Sequence, residues 1–301
     1  MRKIACIGEC MIELSQADEG LWRMGYAGDT LNTAWYLRAR LGSEWQVSYV
    51  TRIGEDRFSG EMLAFLTAAG IDTSTIQRES ARNIGLYAIS LSEGERSFTY
   101  WRGQSAARGL ADDAAVLAAA IADAELCYFS GITVAILPPE GRATLFAALR
   151  DAKARGCTLA FDPNIRERLW PDHETLRAAI SEAGALADIV LPSFDDEAQW
   201  FGDADPEATA ARYLALGASE IVVKNGGGKL CLRNETTHAA PHFPSVTPTD
   251  TTGAGDSFNG GYLSARLQGA DMETAARAGH DLAARVVRHP GALIPQGDLE
   301  T

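Results

Sequence analysis

The 301-residue chain has no basic surplus: 27 Lys and Arg stand against 40 Asp and Glu, a formal net charge of −13. A nucleic-acid binder displaces counterions with a basic face, so no nucleic-acid partner is expected. Cysteine is scarce and odd in number (Cys6, Cys10, Cys127, Cys157 and Cys231), with no C-x-x-C pair. That argues against a disulfide framework or a thiolate zinc site and for reduced cysteines in a cytoplasmic protein. The spacing of His238 and His242 is ligand-like, but Pro241 between them opposes a helix that presents both rings. No apolar run approaches the ~20 residues that cross a bilayer, and Glu9 interrupts the first apolar run, so neither a secretory leader nor a membrane partner is expected. No G-x-x-x-x-G-K-[ST] occurs, and "NGGGKL" fails both its spacing and its final hydroxyl. No G-x-G-x-x-G follows a strand-like run, so the dinucleotide fingerprint is missing too. There is no internal repeat and no low-complexity linker.

What is present is globular, 46% hydrophobic and 22% charged. The runs "KIACIG", "VSYVTRIG", "LCYFSGI", "TLAFDPN", "DIVLPS" and "EIVVKNG" read as buried strands. Between them lie alanine- and leucine-rich helical segments, several ending at glycine. Alternating strand and helix predicts an α/β fold: a doubly wound, mostly parallel sheet covered by helices on both faces. One domain over 1–301 is expected. Two segments break the rhythm, about 13–27 and 83–104, the second a hairpin with its turn at "SEGE". They predict a separate small β-sheet, a lid over the strand ends. Trp22, Tyr87, Phe98, Tyr100 and Trp101 on such a sheet would want a cover, which points to a homo-oligomer, most simply a dimer through the lid.

The stretch "TPTDTTGAGDSFNGGYLSARL" (247–267) joins a Gly-Ala-Gly turn to an apolar helical tail. Gly253, Ala254 and Gly255 would offer backbone N–H groups at the positive end of a helix, and small side chains let an anion come close. Asp256 would stand beside that anion and could take a proton from an attacking hydroxyl. These are parts of a phosphoryl-transfer site, a cradle and a base. The plainer reading of Asp256 is a helix cap or dipole partner.

"DTTGAGDSFNGG" resembles the second signature of the ribokinase-like (PfkB) carbohydrate kinases, "GYAGDTLNTA" the first, and "VVKNGG" the nucleotide-side strand and loop. The three occur in the family's order, so the resemblance spans essentially the whole chain. Within the family "GECMIEL", "FTYWR", "FDPNIRERLW" and "RHPGALIP" look most like the kinases of 2-keto-3-deoxygluconate. The resemblance implies ATP and Mg²⁺, and phosphorylation of the sugar acid's 6-hydroxyl.

Carried onto this chain, the resemblance implies that Gly28 and Asn32 meet the sugar, together with Tyr87, Tyr100, Arg102 and Arg166. An arginine fork suits the substrate's carboxylate, although an isolated arginine is more often a solvated surface residue. Glu13 matches a carboxylate near the sugar and equally a lid surface charge. Asp256 is implied as base, with the 253–255 amides and Arg166 stabilising the transferring group. Asn164, Ser193, Lys224, Gly226, Gly253, Gly255 and His280 fall on the nucleotide side. Against this, "KNGGGK" also reads as a hairpin turn and His280 as a helix-face histidine. Ser193 departs from the asparagine common in the family, and Lys229 from a glycine. Glu197 matches the acidic residue that organises Mg²⁺ and its waters. Many relatives hold a monovalent cation such as K⁺ at loop backbone near Asp250, Thr252 and Gly291. Rival expectations are another sugar kinase of the family, acting on fructose, ribose, adenosine or the galactonate epimer, and a non-catalytic sugar-binding protein on the same scaffold.

Overall fold

The computed structural model describes residues 1–17, 20–92 and 95–299. Strand β1 (Arg2–Ile7) runs directly into an antiparallel pair, β2 (Met11–Gln16) and β3 (Trp22–Ala27). Helix α1 (Asp29–Arg40) returns the chain to β4 (Trp45–Val50). Then come β5 (Arg52–Gly54), α2 (Arg57–Ala68), β6 (Gln77–Glu79) and the antiparallel pair β7 (Gly85–Ser92) and β8 (Glu95–Trp101). The alternating part follows: α3 (Ala114–Ala120), β9 (Ala124–Ser130), α4 (Gly131–Ile136), α5 (Pro139–Ala154), β10 (Thr158–Asp162), α6 (His173–Leu186) and β11 (Ile189–Val190). The chain closes with α7 (Phe194–Phe201), α8 (Pro206–Leu216), β12 (Glu220–Val223), β13 (Cys231–Arg233), β14 (His238–Ala239), α9 (Ala254–Leu267) and α10 (Met272–Val286).

Eight strands form one sheet in the order β14-β13-β12-β11-β10-β9-β1-β4. Its pairs are parallel from β12 to β4, and among the described strands β13 alone is reversed, antiparallel to both β12 and β14. The expected mostly parallel sheet with helices on both faces is therefore found. Its strands read as continuous apolar runs because both faces are buried. Along β1, Ile4 and Cys6 enter one core with Leu31, Tyr36, Leu37, Tyr262 and Leu263. Ala5 and Ile7 enter the opposite core with Val134, Leu145, Leu176, Ile180 and Tyr213. All of these side chains are fully buried, and burying each large aliphatic one contributes roughly 1.5–3 kcal/mol. All five cysteines are free and buried.

From β1 the sheet grows both ways, to β4 on one side and through β9 on the other. In a doubly wound sheet a ligand crevice opens at such a switch point, at the carboxyl ends of the strands. Helices α2, α3, α6, α8 and α10 begin with aspartates (Asp56, Asp113, Asp172, Asp205 and Asp271) whose side chains accept from first-turn N–H groups. Such caps contribute about 0.5–2 kcal/mol each. Helices α1, α5, α7 and α9 carry no side-chain cap; α5 opens on proline, and the other three start around the site described next.

The expected small sheet is present as four strands in the order β3-β2-β7-β8, with β2 and β7 parallel. Gly25, Glu13, Tyr87 and Tyr100 form one cross-strand row. Successive rows alternate faces, so Tyr26, Ile12, Leu86 and Trp101 lie on the other side. There Ile12 and Tyr26 belong to the main core, with Leu86 packed against it, and the Tyr26 ring lies 5.4 Å from Phe65. The turn expected at "SEGE" includes residues 93 and 94, and the first lid segment includes 18 and 19. These four positions lie outside the described residues.

Among the described residues no helix is long and apolar enough to cross a membrane.

Candidate active site

Helix α9 starts at Gly253, which holds φ +75°, a left-handed conformation that side chains rarely adopt. A Cβ there would also lie 2.8 Å from the Ala292 carbonyl oxygen. Both facts require glycine at the joint. The geometry corrects one expectation about the cradle. The Ala254 N–H is not free; it turns back to the Thr251 carbonyl at 3.2 Å. Helix geometry leaves Gly255 and Asp256, the next first-turn positions, without intrahelical acceptors for their N–H groups.

Asp256 sits on this first turn beside α1. The Asn32 side-chain amide donates to its Oδ2 at 2.7 Å, and the Thr33 hydroxyl donates to its backbone carbonyl at 3.2 Å. The two glycine-rich segments, 224 residues apart at the Asn32–Asp256 pair, thus meet through two hydrogen bonds. The surroundings of Asp256 favour its neutral form. Burial pushes its carboxyl up to about 7, and the Asp29 and Asp162 carboxylates add to the rise. The Asn32 amide and the Lys224 ammonium pull the other way. A carboxyl poised near neutral pH is suited to general-base work.

Lys224 leaves the end of β12 and is buried. Its Nζ donates to Asp162 Oδ2 at 2.7 Å and to Asn259 Oδ1 at 3.2 Å. It also lies 3.6 Å from where a Cβ on Gly255 would stand, so lysine and helix start face the same space. Asn259, one helical turn along α9, donates to Asp162 Oδ2 at 2.6 Å and to the Tyr128 hydroxyl at 3.1 Å. The sequence reading missed Asp162 and Asn259. The signal was there: "TLAFDPN" ends an apolar strand on a carboxylate, and "DSFNGG" puts asparagine on a buried helix face.

The loop "KNGGGK" is indeed a hairpin link between β12 and antiparallel β13, with Gly226 at φ +49°. Ser193 bridges to Lys224 at the start of α7. Asn164 lies just beyond β10 at φ +33° and donates to Asp29 Oδ2 at 2.9 Å. His280 on α10 is half-buried, with Nε2 3.1 Å from the Pro244 carbonyl and its ring 5.0 Å from Phe243. Asp250 is buried and accepts from the Thr252 and Gly291 N–H groups at 2.9 and 2.6 Å. It thereby ties the loop before α9 to the loop after α10.

The structure does not bring Glu197 into the site. Helix α7 turns it inward, and it is fully buried. One carboxylate oxygen accepts from the Tyr213 hydroxyl at 3.0 Å and the other from Arg212 at 2.5 Å. Burial raises its carboxyl to about 7 despite the arginine. The carboxylate that faces the site is its neighbour Asp196, with Oδ2 3.7 Å from Arg166 Nη1. Burial raises the Asp196 carboxyl, Asp162 adds to the rise, and Arg166 and Lys224 oppose it. One residue along a helix is a rotation of about 100°, enough to exchange interior for site.

On the lid side, Tyr87 is buried and its hydroxyl donates to Glu13. Its ring lies 5.7 Å from Tyr100, which is 47% exposed. Glu13 is thus engaged with Tyr87 rather than being a loose surface charge. Arg102, expected to await an anion, is already ion-paired with buried Glu9. Arg166 is exposed, with Nη1 on its neighbour Ile165's carbonyl at 2.8 Å. Gly28 lies so close to the strand before it that a Cβ would stand 2.1 Å from the Glu9 carbonyl oxygen.

The site thus combines a helix start, a neighbouring buried lysine and a carboxyl poised near 7 on one side with an aromatic, arginine-bearing sheet on the other. The chain as a whole is similar to known proteins. The profile of the pfkB family carbohydrate kinases matches residues 1–298. The 2-dehydro-3-deoxygluconokinase of Dickeya dadantii is 40% identical over 302 residues, covering 98% of this chain and 97% of its own. A fructokinase of Klebsiella pneumoniae is 32% identical, covering 87% and 83%. Among solved structures, a PfkB protein from Polaromonas superposes with TM-score 0.83 at 29% identity, covering 100% of this chain and 99% of that one. With the family profile spanning nearly the whole chain and relatives similar from end to end, this protein belongs to the pfkB family of carbohydrate kinases.

Proposed function

We propose that the protein transfers the terminal phosphoryl group of ATP to the 6-hydroxyl of 2-keto-3-deoxygluconate, also called 2-dehydro-3-deoxygluconate. The observation that carries this reading is the meeting of Asn32, Asp256 and the α9 start, with Lys224 beside Gly255. A sugar hydroxyl held by Asn32 would lie next to the Asp256 carboxylate, which takes its proton. The oxygen then attacks the phosphoryl group in line. The Gly255 and Asp256 N–H groups and the Lys224 ammonium, with Arg166 nearby, offset the charge that develops on the transferring oxygens. Ser193, Asn164, Gly226 and His280 would border the nucleotide. The small sheet, closing over the sugar, would keep water from the phosphoryl group. The sugar-acid assignment rests on the deoxygluconokinase relative and on Arg102 and Arg166, since a neutral sugar needs no cationic fork.

Magnesium fits one side of the site. Among the described residues no group of three or more His, Cys, Asp or Glu could cage a metal. Magnesium needs no cage, because it keeps waters and binds mainly through phosphates and one or two carboxylates. Asp196, beside Arg166, would hold those waters, and the ion would neutralise phosphate charge. Asp196→Ala is therefore expected to raise the Mg²⁺ concentration for half-maximal rate about tenfold or more. Glu197→Gln is expected to leave it within twofold and instead to lower the thermal midpoint. Magnesium titrations of ADP release check both; the opposite pattern would restore Glu197 as the metal-side residue. A monovalent cation, by the same family logic, would sit at the loop that Asp250 fastens to Gly291.

The deciding experiment is ADP release across 2-keto-3-deoxygluconate, its galactonate epimer, fructose, ribose and adenosine. The highest kcat/KM is expected on a sugar acid. Equal or better turnover of a neutral substrate would transfer the assignment to a fructokinase-like or nucleoside kinase. Binding of the acid without any ADP release would mean a non-catalytic sugar binder. The exposed lid aromatics Phe98 and Tyr100 support a dimer through the lid, which sedimentation would show.

A further inference from the structure

The chain passes between the main sheet and the small sheet at places that include Gly8-Glu9-Cys10, between β1 and β2, and Arg102-Gly103, after β8. An ion pair joins these two crossings: Arg102 Nη2 donates to Glu9 Oε2. The side chains are enclosed, Glu9 at 0% and Arg102 at 10% exposure. The pair is incomplete. Glu9 Oε1 and Arg102 Nε are buried, and neither has a hydrogen-bond partner among the described residues. The surroundings are built to admit it. A Cβ on Gly85, the first residue of β7, would stand 3.0 Å from Glu9 Oε1 and 3.2 Å from Arg102 Cβ. Gly28, from the first glycine-rich segment, lies closer still to the Glu9 carbonyl: a Cβ there would stand 2.1 Å from its oxygen. So Glu9 touches the first signature, the root of the lid and the lid arginine together.

A buried ion pair is seldom retained for stability alone, because desolvation offsets most of its attraction. It does fix geometry. A guanidinium is a planar fork with five N–H donors. With one Nη2 donor committed to Glu9, the plane is set and other donors are left for a second carboxylate. We propose that Glu9 is a positioning residue: it orients Arg102 to receive the carboxylate of a sugar-acid substrate. This inference rests on the sugar-acid reading above. Glu9 does not touch the transferred phosphoryl group and takes no proton; it acts through Arg102.

The test uses the full-length protein with 2-keto-3-deoxygluconate and ATP. Wild-type turnover of the acid comes first: if it is absent, the sugar-acid reading fails and this inference with it. If it is present, Glu9→Gln, which keeps the shape and removes the charge, is expected to raise KM for the acid at least tenfold. KM for ATP should stay within twofold. In an Arg102→Met background, adding Glu9→Gln should raise KM for the acid no further. An unchanged KM in the single variant, or ATP and acid KM rising together, would overturn the positioning role while leaving the kinase assignment intact. Should Glu9→Gln alone not fold, the double variant leaves no buried charge unpaired and carries the comparison against Arg102→Met. Equal KM supports the proposal, and a further rise refutes it.

Discussion

Asp256→Asn is expected to lower kcat by about 10²–10⁴-fold, the range typical for loss of a general base, while the protein becomes more stable at alkaline pH. The two effects share one cause. The folded chain holds the Asp256 carboxyl up to about 7, whereas its ordinary value is 3.8. A base works only when deprotonated, so kcat/KM of the wild type should climb with pH through about 7 and level off above. The stability effect has the opposite sign. Between about pH 4 and 7 the unfolded chain has released this proton and the folded chain still holds it. Unfolding then releases a proton, so the group's contribution to stability falls as pH rises through that window. Asparagine has no proton to release. The variant should therefore gain thermal midpoint over wild type at pH 8 and gain little at pH 4. Residual turnover near the wild-type rate would sink the base assignment. A lowered midpoint at pH 8 would instead show that Asp256 is stabilised as the anion.

Arg102→Met is expected to cost the sugar acid about 2–5 kcal/mol of transition-state binding, the usual loss when one partner of a buried charge pair is truncated. That is roughly thirtyfold to several-thousandfold in kcat/KM. A neutral hexose, which offers the arginine no carboxylate, should change by only a few fold. The variant also leaves Glu9 enclosed without its cation, so it should unfold more easily, by about 3–5 kcal/mol. Glu9→Gln/Arg102→Met should recover most of that stability and none of the acid turnover. Urea midpoints and the acid-to-hexose ratio of kcat/KM, measured on the same preparations, separate the two losses. An unchanged ratio would mean that Arg166 alone meets the substrate's carboxylate.

The layered sheet was legible because both its faces are buried, which leaves apolar runs such as "KIACIG" without polar alternation. The helix start at 253–256 was legible because a Gly-Ala-Gly turn precedes an apolar helical tail, and Gly253 does hold the left-handed conformation at that joint. Three features were hidden, each for a geometric reason. Asp196 and Glu197 are adjacent acids, and only the phase of α7 decides which faces the site. The partner of Arg102 lies 93 residues upstream, in a stretch where Glu9 reads merely as an interruption of a strand. The Ala254 N–H looked available, but a local bond to Thr251 consumes it, and no spacing rule reports how a turn closes.

Helix α1 is fastened from the far end of the chain. The Trp35 indole N–H donates to the Ile294 carbonyl at 2.8 Å, and the Tyr36 hydroxyl to the Ala292 carbonyl at 2.6 Å. Asn32 finds its acceptor only at Asp256. These contacts span 259, 256 and 224 residues. Closure entropy grows with loop length and makes such contacts slow to form. The final seating of α1, and with it the meeting of Asn32 and Asp256, is therefore expected among the last events of refolding.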